Sequence, residues 1–112
     1  MKSYNDIYLE DSSSNIGTML EYANLVGLDP IVFWDKFITS SISKEIEKGN
    51  PKYLCGYSAL ELFKNITELE IADINFIYPT KYYWAGWAIT RYQNYKDISF
   101  FDIHHVSKKD KK

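Results

Sequence analysis

The 112-residue chain holds one cysteine, two histidines, three prolines and five glycines. A lone Cys55 excludes an internal disulfide and any zinc site built from cysteine pairs. The histidines are adjacent, His104 and His105. Neighbours on a helix point about 100° apart, so the pair cannot chelate one metal from a single face. No apolar run approaches the roughly 18 residues that a bilayer requires. The opening stretch, MKSYNDIYLED, has no apolar core of the kind a signal peptide carries, so a reducing cytoplasm is the expected location. The H-E-x-x-H, P-loop, G-x-S-x-G and G-x-G-x-x-G fingerprints are all missing. Glu45, Glu47, Glu61, Glu68, Glu70 and Asp73 show no spacing that sets acid–base chemistry apart from a solvated surface. The expectation is a protein that is not an enzyme and holds neither metal nor cofactor.

Basic residues are scarce outside the last five positions. Lys108–Lys112 contains four lysines; without it the chain has nine basic and fourteen acidic residues, a net charge near −5. Duplex binding starts from a basic face, so this balance weighs against nucleic acid as a partner on its own. The expected organisation is a single helical domain over residues 1–107 and a disordered lysine-rich tail over 108–112.

What the chain does have is helical periodicity. Residues 1–13 read as a flexible lead-in. Ile16, Met19, Leu20, Ala23 and Val26 then mark one helical face, with Ser14 or Asn15 as its cap and Gly27 in the left-handed position at its end. Asp29-Pro30 starts a second helix near Ile31–Thr39, with Asp29 as cap and proline at the first helical position. A short third segment, Ser43–Lys48, stops at Gly49-Asn50-Pro51. Ser58 and Glu61 form a capping box ahead of a stripe of Leu60, Phe63, Ile66 and Leu69. Glu68–Tyr78 reads as an extended connection or short helix, because no second strand exists to pair with it. Thr80 caps a helix from Lys81 to Tyr95, and Ser99 starts a last one over Phe100–Val106.

Aromatic residues are abundant, at 17 % of the chain, and seven of them fall in YPTKYYWAGWAITRYQNY at 78–95. On a helix, Trp84, Trp87, Ala88, Arg91 and Tyr95 share one face, while Ala85, Ile89, Tyr92 and Tyr82 share the neighbouring one. Together they exceed the ~100° stripe that one-sided core contact uses. Either the helix is nearly central in a bundle or part of its aromatic surface looks outward. Ala85, Gly86 and Ala88 permit close approach of another helix. The expected fold is all-α, a compact bundle of five or six short helices around a central aromatic helix.

Two blocks, KFITSSISKEIEKGNPKYLCGYSALEL at 36–62 and YYWAGWAITRYQNYKDISFFDI at 82–103, resemble a group of small uncharacterised bacterial proteins. Those proteins carry a G-N-P-K-Y…G-x-S-x-x-E-L block and a Y-W-A-G-W…Y-Q-x-Y…S-F block. The matching positions are Gly49, Asn50, Pro51, Lys52, Tyr53, Gly56, Ser58, Glu61 and Leu62, then Tyr83, Trp84, Ala85, Gly86, Trp87, Tyr92, Gln93, Tyr95, Ser99 and Phe100. The group is similar to components of toxin–antitoxin-like modules, and some members continue into a helix-turn-helix domain. The resemblance implies an interaction module whose partner is a toxin encoded by a neighbouring gene.

The expected function is therefore non-enzymatic: an antitoxin-like or regulatory protein that binds and controls a partner protein. The candidate partner-binding residues are Asn50, Pro51, Lys52, Tyr53, Tyr82, Tyr83, Trp84, Trp87, Arg91, Tyr92, Gln93 and Tyr95. A homodimer is compatible with the same surface. The alternative is a DNA-binding transcriptional regulator of helix-turn-helix type. It would use Lys2, Lys44, Lys48, Lys52 and the tail, but SISKEIEKGN lacks Arg, Gln or an early Asn to read base edges.

Overall fold

Regular backbone hydrogen bonding among the described residues is helical. A computed structural model describes residues 6–70, 79–96 and 98–102. The expectations for 71–78, His104 and His105, the end of the last helix and the lysine tail lie outside the described residues. The elements are α1 (Asp6–Leu25), α2 (Pro30–Ile38), α3 (Ser41–Glu47), a π-helical turn (Lys52–Gly56), α4 (Ala59–Thr67) and α5 (Lys81–Lys96). Residues 100–102 are helical as well. There is no strand among the described residues, and the all-α class holds. The radius of gyration is 13.2 Å, against about 13 Å for a compact chain of this length.

Local signals explain most boundaries. The Asp29 carboxylate accepts from the Ile31 amide, and Pro30 opens α2. Ser40 accepts from the Ser43 amide to start α3. At α4 both halves of the Ser58–Glu61 capping box form, with Ser58 N–H donating to Glu61 Oε1 at 2.9 Å and Glu61 N–H to Ser58 Oγ at 3.2 Å. Gly27 takes φ 84°, as expected after α1. Three expectations need correction. Residues 6–13 are not a lead-in: α1 already runs through them, and Ser12 and Ser13 are buried inside it. Ser14 and Asn15 therefore cap nothing. The stripe on α4 turns through Ala59, Leu62 and Phe63, leaving Leu60 half-buried and Leu69 exposed.

The core is a chain of rings that the aromatic helix does not supply. Tyr22 of α1 meets Phe63 of α4 with centroids 5.7 Å apart, and Phe63 meets Phe33 of α2 at 5.2 Å. Phe37 and Trp34 continue it, and Phe100 closes it edge-on against both, at 5.2 and 5.8 Å. Such pairs each contribute roughly 0.5–1.5 kcal/mol beyond the area they bury.

Helix α5 lies antiparallel along α1, which also meets α2, α4 and the π-helical turn. The side that α5 turns inward is small and polar: Gly86, Thr90, Gln93 and Asn94 are its buried residues. Gly86 sits on Gly17. A Cβ added at Gly86 would lie 2.8 Å from Gly17 Cα, and one at Gly17 would lie 2.5 Å from the Tyr83 carbonyl oxygen. At one end of the pair the buried Glu21 carboxylate accepts from Thr80 N–H, Thr80 Oγ1–H and Tyr83 N–H. A carboxylate from α1 thus occupies the positive N-terminus of α5, where free amides and the helix dipole favour an anion. At the other end Arg91 Nη2 donates to Glu10 Oε1 at 2.6 Å. That ion pair is exposed, so it fixes direction more than it stabilises.

Alanine at Gly86 would gain about 1 kcal/mol of helix propensity, whereas forcing a methyl into a closed contact costs roughly 1–3 kcal/mol. The steric term prevails, so Gly86→Ala and Gly17→Ala are expected to destabilise in chemical denaturation. Ala88→Ser, on the opposite side of α5, should change stability by no more than about 0.5 kcal/mol. Stabilisation by either glycine substitution would refute the close crossing.

Candidate interaction surface

The inward geometry of α5 decides what its other side presents. With Gly86, Thr90, Gln93 and Asn94 turned to α1, the opposite face carries Lys81, Trp84, Ala85, Ala88, Tyr92, Tyr95 and Lys96, all exposed. Trp84 is 54 % exposed, Tyr92 48 % and Tyr95 67 %. Of the two arrangements open from the sequence, the outward-looking one describes these rings. Exposed apolar residues are ordinary when scattered, but a row of rings along one helix face is a patch.

The rings are held in a fixed order. Tyr83 packs edge-on to Trp84 with centroids 4.8 Å apart, and Trp84 packs edge-on to Trp87 at 5.9 Å. The Arg91 guanidinium lies 3.9 Å above the Trp87 ring, and Glu10 holds it there. Tyr83 also donates from its hydroxyl to Ser14 Oγ at 3.3 Å. A ladder of three rings and a guanidinium therefore runs from the α1 seam to the open face, which leaves Trp84 preorganised rather than free to rotate.

The other sequence candidates divide. Tyr82 and Tyr83 are half-buried, Tyr82 against the core and Tyr83 over Gly17. Trp87 and Arg91 are half-buried at the edge of the patch. Gln93 is corrected: at 1 % exposure, with its amide donating to the Ile98 carbonyl at 2.9 Å, it is a structural residue and presents nothing to a partner. Lys81 and Lys96, which bracket the face, were missed. The signal was present, since residues 81–96 contain three basic residues and no acidic one.

Asn50, Pro51, Lys52 and Tyr53 belong to a separate element. Asn50 Nδ2 donates to Glu45 Oε1 at 3.0 Å while its Oδ1 accepts from Lys52 N–H at 3.1 Å. This holds the entry to the π-helical turn. Pro51 and Lys52 are exposed; the Lys52 ammonium lies 5.7 Å from the Tyr57 ring, and Tyr53 packs tilted against Tyr57 with centroids 5.3 Å apart. Beside this turn an open depression of about 420 Å³ is lined by Asp11, Ser14, Asn15, Tyr57, Ser58 and Glu61 among others. Its Ser58 and Glu61 are already committed to capping α4. Among the described residues no group of three or more His, Cys, Asp or Glu side chains is placed to hold a metal ion, and no helix is long and apolar enough to cross a membrane.

A second apolar patch was not anticipated. Leu25, Val26, Ile31 and Val32 flank the turn at Gly27 and are all exposed, Ile31 at 65 %. Val26 falls outside the inward stripe because α1 ends at Leu25, and α2 buries Phe33, Trp34, Phe37 and Ile38 instead of Ile31. Compared with known proteins, the chain matches no family model, no curated protein and no solved structure.

The Asn50 amide and then the Lys48 ammonium, 3.7 Å away, hold the Glu45 carboxyl below its ordinary value of 4.5. A depressed folded-state pKa contributes stability above the ordinary value and loses it as pH falls through the folded one. Thermal denaturation should therefore find Glu45→Gln less stable than wild type at neutral pH, with the difference shrinking on acidification below 4.5. A difference that stays constant with pH would show that this carboxylate does not brace the turn.

Proposed function

We propose that the protein is a non-enzymatic interaction module, antitoxin-like or regulatory, that holds a partner protein on the outward face of α5. One observation carries this reading: Trp84, Tyr92 and Tyr95 are exposed along a single face of a helix whose packing needs are met by its other side. Tryptophan and tyrosine are the favoured anchors of protein interfaces, combining a large apolar body with a polar tip. Trp84, held edge-on between Tyr83 and Trp87, loses less freedom on binding than an unsupported ring, and this favours affinity. The antitoxin-like role and a toxin partner follow from the resemblance of the GNPKY and YWAGW blocks.

Duplex DNA binding finds less support. Helix α3, where a recognition helix would fall, is seven residues long and buries Ser43 and Ile46. Of the lysines assigned to that role, Lys48 pairs with Glu45 and Lys52 sits by Tyr57.

Co-expression with the products of neighbouring genes, followed by co-purification, tests the module. Tyr92→Ala and Tyr95→Ala should each weaken a captured complex by about tenfold or more, as interface anchors do, and leave the melting temperature of the free protein unchanged. Tyr83→Ala should lower that temperature, because Tyr83 is part of the α1 seam. Failure of every neighbouring product to bind, or wild-type affinity in both exposed variants, would overturn the reading.

A further inference from the structure

The outward face of α5 is bracketed by like charges. Lys81 stands at its first turn and Lys96 at its last, 15 residues or about 22 Å apart along the axis. Their ammonium groups lie 5.4 Å from the Tyr82 ring and 5.7 Å from the Tyr95 ring. Among the described residues neither meets a carboxylate. Outside α5 and the terminal lysine run the chain has six basic and fourteen acidic residues. Apart from the terminal lysine run, α5 is thus a four-turn cationic strip on an acidic body.

This pattern discriminates among occupants. A second copy laid on the same face would set Lys81 against Lys96 if antiparallel, and against Lys81 if parallel. Like charges would meet at both ends in either case, so the face is not built for its own copy. A long polyanion would run off the strip onto acidic surface, which disfavours nucleic acid. A bilayer would find a single tryptophan, two alanines and two tyrosines between the lysines, and no leucine, isoleucine or phenylalanine to bury. A short helix fits. Ala85 and Ala88, small and exposed beside Trp84 and Tyr92, let a ridge of another helix approach the face closely.

Resting on the protein-binding reading above, we infer that this face receives an acidic amphipathic helix of another protein, about four turns long. Its carboxylates meet Lys81 and Lys96, and its apolar stripe lies over Ala85 and Ala88 between Trp84, Tyr92 and Tyr95. Opposite charge at the rim steers the encounter and fixes register, while the rings supply the contact area.

Two designed helical peptides of 16 residues, the length of α5, test it on the full chain. They share one apolar stripe and carry either glutamate or lysine at the polar positions. Tryptophan fluorescence reports binding through the exposed Trp84. The glutamate peptide is expected to bind about tenfold or more tightly than its lysine counterpart, a difference of about 1.4 kcal/mol. The double substitution Lys81→Glu and Lys96→Glu, checked for folding by circular dichroism, should reverse that order. Equal binding of the two peptides, binding of neither, or a response only to phosphatidylserine vesicles or to oligo-dT would overturn the inference. If a neighbouring gene product co-purifies and its affinity is untouched by the charge reversal, the module stands and the acidic helix falls. If the glutamate peptide binds with the expected preference while no neighbouring product does, the helix stands and the assigned partner falls.

Discussion

The contact on which the arrangement turns is the crossing of α1 and α5 at Gly17 and Gly86. The two backbones approach so closely that neither glycine has room for a Cβ. Small or compact polar side chains continue the seam, with Ser13, Thr90 and Asn94 in full burial, while Leu20 and Tyr83 close over the glycines. Once that side of α5 is fixed against α1, the geometry of a helix leaves its rings no choice of direction. Trp84, Tyr92 and Tyr95 point away because Gly86 points in.

Two different kinds of glue follow. The ring chain through Tyr22, Phe63, Phe33, Phe37, Trp34 and Phe100 joins α1, α2, α4 and the turn at 100–102 by apolar area and edge contacts. The α1–α5 seam relies on close fit at Gly17 and Gly86 and on the Glu21 carboxylate at the helix start, with the exposed Arg91–Glu10 pair fixing direction near its end. Ser13 Oγ, Arg91 Nε and Gln93 Oε1 are buried on these two helices without a protein partner. Buried polar atoms of that sort weaken a seam relative to an aliphatic one.

Much of this was legible in the residues, and the failures have physical causes. Asp29-Pro30, Gly27 and the Ser58–Glu61 box act through local hydrogen bonds and backbone preferences, so they were readable without tertiary information. Serine favours helix ends in isolation, so Ser12, Ser13 and Ser14 read as a lead-in; Ser12 in fact bonds back to the Leu9 carbonyl within the helix, and Ser13 and Ser14 share the side of α1 that carries Gly17, where close approach of α5 favours small side chains in mid-helix. The direction of α5 was undecidable from periodicity, since apolar residues cover more than half its circumference. Gly86 was the pointer, and its mate Gly17, 69 positions away, was not recognised as one. Gln93 sat within the matched block yet faces inward, because sequence blocks mix packing with contact residues. The charge of 81–96 is plain in the sequence, but a net charge counted over the whole chain hides it.

The functional proposal depends on solvent reaching those rings in the free protein. Hydroxyl-radical footprinting with residue-level mass spectrometry measures that directly. The expected result is rapid modification of Trp84, Tyr92 and Tyr95, with Trp34 and Tyr22 of the ring chain protected. Protection of all five alike would mean that the face of α5 is already covered within the molecule, and the surface described here would not exist.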